Sequence, residues 1–163
     1  DIRIAEQLDK IYFEGGGGGN GYESYTAAWY FALNNTNLDC HKRGRKGLII
    51  TMGDEPLNPY LPQKPLERVL GTSLENNIET SELYNKTIEK FDIYHLAVID
   101  PKSHGGYYEN EIMRSFGVYL DKKHLRKTNL NNIAPTIINI ITDFAGEKTH
   151  TEQKSGLRKF ISW

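Results

Sequence analysis

Residues 47–54 read GLIITMGD, a run of apolar and β-branched residues that stops at Gly53 and Asp54. A second run of the same kind, IYHLAVI at residues 93–99, stops at Asp100 and Pro101. Continuous apolar runs of this length are typical of strands buried on both faces of a parallel sheet, whereas a half-solvated antiparallel strand alternates. The two runs therefore predict two buried parallel strands.

Apolar residues at helical spacing precede, separate and follow these strands. Predicted helices cover residues 25–33, a short segment beginning at Pro65, residues 81–91 and 109–120, and a last helix with Ile133, Ile137, Ile140, Ile141 and Phe144 on one face; residues 124–128 predict a short edge strand. Helices that alternate with strands favour right-handed crossovers between parallel strands. The predicted fold is α/β: a three-layer, doubly wound, mostly parallel sheet with helices on both faces.

Composition excludes several classes of protein. The 163 residues fit one domain, and the net charge of −1 gives no field that would hold a nucleic acid. The single Cys40 excludes an intrachain disulfide framework, and no stretch of about 18 apolar residues predicts a membrane span. We therefore expect a cytoplasmic protein with no membrane association.

Three loops are predicted to meet at the carboxyl edge of the sheet, where open α/β sheets bind ligands: residues 15–23, 53–62 and 100–108. Oxygen ligands for Mg²⁺ or Mn²⁺ are available there in Asp54, Glu23, Ser24 and Asn20. A structural interpretation stays open, because Glu23 or Ser24 also favours a helix start and Asp54 can brace its own turn.

Two other chemistries have weaker support in the sequence. Gly15–Gly19 precede a helix, but no Gly-Lys-Ser/Thr follows them, as a nucleotide-binding loop requires. Hydrolysis would use His95 or His104 as the base and Ser103 or Cys40 as the nucleophile, without the Gly-x-Ser-x-Gly or His-Glu-x-x-His patterns. Because His95 lies inside an apolar strand, we expect a core histidine.

Two segments of the sequence resemble a known protein family. GGGGGNGYESYTAAWYFA at residues 15–32, a basic linker, and KGLIITMGDEP at residues 46–56 resemble the middle of a von Willebrand factor type A domain, in the microbial and phage-encoded branch. The resemblance covers residues 1–146 and leaves residues 147–163 as a C-terminal tail.

The resemblance implies roles for residues at the strand ends. Asp54 matches the acid that approaches the metal of the adhesion site through water, and Asn20, Glu23 and Ser24 fall in the loop that normally offers a threonine ligand. The family's Asp-x-Ser-x-Ser motif does not occur in the chain. Either the first strand with that motif lies upstream of Asp1, which we expect, or this member has lost the metal and kept the scaffold.

These considerations predict a protein-interaction module that binds a partner carboxylate through a divalent cation, with no catalytic residue assigned. The expected binding rim consists of Tyr22, Tyr25, Glu55, Tyr60, Asp100, Ser103 and His104. One alternative is a metal-dependent or nucleotide-linked hydrolase with His104 as the proton carrier. The other is a structural subunit of a larger assembly, indicated by Leu157, Phe160 and Trp163. The sequence predicts no oligomeric state.

Overall fold

The computed structural model describes Arg3, Glu6, Asp9, Lys10, residues 24–71 and residues 73–159. The glycine run at residues 15–19 and the predicted site residues Asn20, Tyr22 and Glu23 lie outside the described residues.

The described chain alternates helices and strands. The helices are α1 Tyr25–Asn35, α2 Asp39–Lys42, α3 Gln63–Leu70, α4 Thr80–Ile88, α5 His104–Tyr107, α6 Glu109–Gly117 and α7 Ile133–Lys159. The strands are β1 Gly47–Gly53, β2 Tyr60–Leu61, β3 Ile78–Glu79, β4 Phe91–Val98 and β5 Leu125–Thr128. Within the described residues, no helix combines the length and apolar character needed to cross a lipid bilayer.

The main sheet is parallel and has the order β1-β4-β5. β1 and β4 are in register from Gly47 opposite Phe91 to Gly53 opposite Ala97. β5 joins the other side of β4, and β2 and β3 form a separate antiparallel ribbon. The predicted α/β class, the two parallel strands and the edge strand are thereby confirmed. The predicted burial holds for β4, whereas β1 is only partly buried and its Met52 is exposed.

β4 is buried on both faces, which explains its continuous apolar sequence. Ile93 and Ala97 belong to a cluster with Trp29 of α1 and Phe116 of α6. Tyr94 and Leu96 form a second cluster with Ile140 of α7, against which Leu48, Ile50 and Ile137 also pack. Alternate residues of one strand thus serve two separate parts of the core.

Several predicted boundaries differ from the structure. Residues 53–62 were expected to form a loop, but they contain β2, because Pro59 O accepts the Thr80 N–H at 3.0 Å and brings β3 alongside. α3 begins at Gln63, before the expected start at Pro65. Phe91 was expected on a helix and instead begins β4. The Gly47 N–H bonds Lys90 O at 2.8 Å, so the sheet ladder already holds the chain there.

Other helices also differ from the prediction. Residues 102–108, expected to be a loop, contain α5, whose first turn is capped by the Ser103 side chain accepting from the Gly106 N–H. α7 continues through Lys159, so most of the segment predicted as a tail has helical backbone. On the predicted helix faces, Ala28 and Ile141 point outward, whereas Trp29 and Ile140 are fully buried.

His95 is a core residue, as its place in an apolar strand predicts. Its Nδ1 lies 2.9 Å from Thr51 Oγ1, and its ring stacks on Phe116 at 3.6 Å between centroids. The side chain is completely buried, and burial lowers the pKa of the imidazole from 6.5 to about 3. Folding therefore keeps this histidine neutral, because an imidazolium ion here would lose its hydration.

The protonation of His95 makes folding stability depend on pH. An unfolded chain binds a proton at His95 below its ordinary pKa of 6.5, whereas the folded chain resists protonation until about pH 3. The neutral ring contributes its full stabilisation above pH 6.5. Between pH 6.5 and about 3 the free energy of unfolding falls by up to about 1.4 kcal/mol per pH unit. Urea unfolding at several pH values measures this for the wild type and for His95→Gln. The difference in free energy of unfolding between the wild type and His95→Gln should shrink as the pH falls. A difference that stays constant with pH would contradict a neutral, buried His95.

Candidate functional site

The loops that follow β1 and β4 meet at the carboxyl edge of the sheet, as predicted. Glu55 Oε1 lies 2.9 Å from His104 Nε2, and this pair joins the end of β1 to α5. The Glu55 side chain is 15% exposed and His104 is 44% exposed. The His104 ring also stacks on Tyr108 at 4.5 Å. The acid is thus held beneath a histidine and an aromatic ring that face solvent.

The start of α1 reaches the same place through Tyr25. Tyr25 is buried, and its hydroxyl accepts a hydrogen bond of 3.4 Å from the Glu55 N–H. A Cβ at Gly53 would stand 2.0 Å from that hydroxyl. Gly53 is therefore required by close approach, and Tyr25 supports the predicted rim from below without lying on its surface.

Asp54 lies against α5. A Cβ at Gly105 would come within 2.8 Å of Asp54 Cβ and 2.2 Å of Val98 O. Only glycine fits, because the first turn of α5 packs directly on the end of β4 and on the residue after β1. The position of Asp54 thus depends on both strand ends.

Asp100 and Ser103 brace the loop after β4. Asp100 Oδ2 accepts the Leu130 N–H at 3.1 Å, which ties this loop to the chain that follows β5. The Ser103 hydroxyl donates to Asp100 O at 2.6 Å and accepts from the Gly106 N–H. Both predicted rim residues are thus held by hydrogen bonds within the fold, and the Ser103 hydroxyl bonds to backbone groups rather than to an imidazole.

A groove of about 420 Å³ opens next to the Glu55–His104 pair. Its lining consists of Glu55, Pro56, Leu57, Pro59, His104, Tyr108, Glu111, Arg114 and Ser115. The Leu57 N–H donates to Ser115 Oγ at 2.9 Å and fixes the loop to α6. Glu55 Oε2 is buried without a hydrogen-bond partner among the described residues.

α6 contributes to this groove, which the sequence pattern did not predict. Tyr108, Glu111 and Ser115 recur at the spacing of one helix face. That periodicity is visible in the sequence, but the helix is predicted only from Glu109, which leaves Tyr108 in the predicted loop.

The other predicted residues are distributed as follows. Tyr60 is 42% exposed on β2, beside Pro59 of the groove. Ser24 lines a different, apolar groove of about 350 Å³ with Phe31 and Leu66. Among the described residues, no three His, Cys, Asp or Glu side chains are grouped to hold a metal ion. A cation at Asp54 would therefore need ligands from residues 11–23, from water or from a partner.

The residues proposed for hydrolysis are not brought together. His41 Nε2 lies 3.1 Å from Lys90 O and the ring meets Phe91 edge-on, which puts the neighbouring Cys40 at the amino end of β4. His95 is sealed in the core, and Ser103 lies beyond the carboxyl end of that strand.

No family model, curated protein or solved structure matches this chain.

The close packing at Gly105 predicts a selective effect of a methyl group. Gly105→Ala should lower the free energy of unfolding by about 2–3 kcal/mol, because the added carbon meets backbone and cannot be accommodated by a rotamer change. Gly117→Ala at the end of α6 is the matched control, since a Cβ there meets nothing within 4 Å. Urea denaturation measures both variants. Equal stability of the two variants would mean that α5 does not pack on the end of β4 as described.

Proposed function

We propose that this chain is a protein-interaction module of the von Willebrand A type, whose carboxyl sheet edge binds a carboxylate of a partner protein through a divalent cation. The proposal rests on the resemblance at residues 15–32 and 46–56 together with one structural observation. That observation is the convergence of the loop after β4 and the start of α1 on residues 53–55, which include Asp54.

The proposed finer architecture is the three-layer, doubly wound sheet of that family. Two features support it: the parallel order β1-β4-β5, and the two core clusters served by alternate residues of β4. In this proposal β1 corresponds to the family's central strand that precedes an acid of the metal site.

Asp54 is the proposed contact to the cation, through a bound water. A hard cation such as Mg²⁺ or Mn²⁺ prefers oxygen ligands and keeps several waters, so one protein carboxylate and a partner carboxylate are chemically sufficient contacts. Asn20 and Glu23, which precede α1, are the proposed further ligands. Tyr25 supports this arrangement because it anchors the start of α1 at the Glu55 backbone.

The surroundings of Asp54 suit a protein partner. Tyr107 is 76% exposed and Tyr108 is 46% exposed on the adjoining turn. Aromatic and arginine side chains dominate binding energy in protein interfaces, and Arg114 lines the neighbouring groove.

Calorimetric titration with Mg²⁺ and Mn²⁺ tests the cation. We expect saturable binding by the wild type and at least about tenfold weaker binding by Asp54→Asn, which removes the charge that attracts the ion and keeps the side-chain volume. Asp143→Asn is the matched control, because Asp143 is an exposed aspartate of α7 paired with Arg126. It should bind as the wild type does.

Two outcomes would count against the proposed cation site. Absence of binding by the wild type would remove the cation and leave the aromatic rim alone as the proposed interaction surface. Equal binding by the wild type and Asp54→Asn would mean that the ion lies elsewhere.

A further inference from the structure

The segments that lead into the three parallel strands are rich in basic residues. Because β1, β4 and β5 run in one direction, these segments lie together at the amino edge of the sheet, opposite the proposed cation site. Residues 39–46, 89–92 and 121–124 carry seven Lys or Arg and four Asp or Glu, in a chain whose net charge is −1. The amino edge is therefore a positive surface on a nearly neutral molecule.

Contacts within the fold show that the three segments meet. Lys46 Nζ lies 3.8 Å from Asp92 Oδ1, which joins the segment before β1 to the start of β4. The His95 N–H donates to His124 O at 2.9 Å, and this bond holds the segment before β5 beside β4. The basic residues of all three segments thus belong to one surface.

The cations of this surface face solvent. Lys123 is partly exposed, and the other six are exposed: Lys42, Arg43, Arg45, Lys46, Lys90 and Lys122. The side chains of Lys42 and Lys46 are 66% and 46% exposed. Their charge is therefore presented to a partner and is not sealed in the core.

A cleft of about 260 Å³ lies between the basic segments. Its polar lining consists of Lys46, Asp92, Asp121 and His124. The rest of its lining is aliphatic or aromatic: Tyr84, Ile88, Phe91, Ile93, Tyr119 and Leu120. Residues 42–45 directly precede one end of the polar lining, and Lys122 and Lys123 lie within the other. An apolar side chain in the cleft would therefore have cations on both sides.

The two acids of the cleft are held by contacts within the fold. Asp92 is paired with Lys46. Asp121 Oδ1 accepts the Lys123 N–H at 2.9 Å and lies 2.7 Å from His124 Nδ1, so this carboxylate is directed to its own turn. Because the cations around the cleft outnumber these acids, the surface as a whole attracts negative charge.

We propose that the amino edge binds an acidic segment of a partner protein that has an apolar residue among its Asp and Glu residues. The apolar side chain would occupy the cleft. The acids on either side of it would pair with residues 42–46 and with Lys122 and Lys123. Opposite charges steer the encounter, and burial of the apolar side chain holds the segment in place.

The distribution of charge favours a short acidic peptide over a nucleic acid. Positive charge is concentrated at one edge of the sheet, since Asp54, Glu55 and Asp100 follow the strands at the opposite edge. A nucleic acid backbone offers phosphates to such a surface, but it has no aliphatic side chain for the cleft. An acidic peptide with one apolar residue matches both the charge and the cleft.

Fluorescence anisotropy with a labelled peptide tests this inference. The probe has a central Leu with four Asp or Glu residues on each side. The inference does not rest on the proposed cation site, so EDTA is present throughout. We expect saturable binding that weakens as NaCl is added. A peptide with Ser in place of Leu should bind roughly tenfold more weakly, because the buried apolar contact is lost.

Charge reversals on the two sides of the cleft test the surface. Arg43→Glu and Lys122→Glu should each raise the peptide dissociation constant by about fivefold or more. Lys102→Glu makes the same charge change at an exposed position of the opposite edge and should leave the dissociation constant unchanged. Asp54→Asn should also bind the peptide as the wild type does, which separates this surface from the cation site. Circular dichroism checks that each variant is folded.

Three results would overturn the inference. One is the absence of saturable peptide binding by the wild type at low salt. Another is an equal loss of binding in Arg43→Glu and Lys102→Glu, which would mean attraction to overall charge alone. The third is tighter binding of a single-stranded oligonucleotide, or of vesicles that contain phosphatidylserine, because the amino edge would then recognise phosphates instead of a peptide.

Discussion

Parallel pairing of β1 with β4 holds the two longest strands in register from Gly47–Phe91 to Gly53–Ala97. Parallel strands cannot be joined by a tight turn, so the intervening chain must cross over, and it forms α3 and α4 on the way. The same pairing brings both carboxyl ends to one edge. The candidate site exists because of that direction: an antiparallel partner would carry the loop after β4 to the opposite end of the sheet.

Close contact at this edge leaves little room for side chains near the backbone. Gly53 makes space for the Tyr25 hydroxyl, and Gly105 lets α5 rest on Val98 O and Asp54. The layer beneath is equally tight, because His95 is clamped between Tyr25 and Phe116 and held by Thr51. The rim residues therefore stand on a rigid support, as a preformed binding surface requires.

Among the described residues the parallel sheet has three strands, and its two outer strands differ in length and charge. β5 is short and carries Arg126 and Lys127, whereas β1 is longer and uncharged. The flank of α7 follows the same division, with Asp143 and Thr136 toward β5 and Ile138 and Ile141 toward β1.

The sequence by itself determined the α/β class, the strands β1, β4 and β5, and the face of α7 that carries Ile137 and Ile140, because burial on both sides or on one side leaves a readable apolar period. It also predicted that the loops after β1 and β4 meet. The tertiary structure alone decided the Glu55–His104 pair, the contribution of Arg114 and the existence of β2 and α5. These features depend on contacts between residues far apart in the chain, such as Pro59 and Thr80. Short-range periodicity does not predict such contacts, because it reports only which residues share a face of one helix or strand.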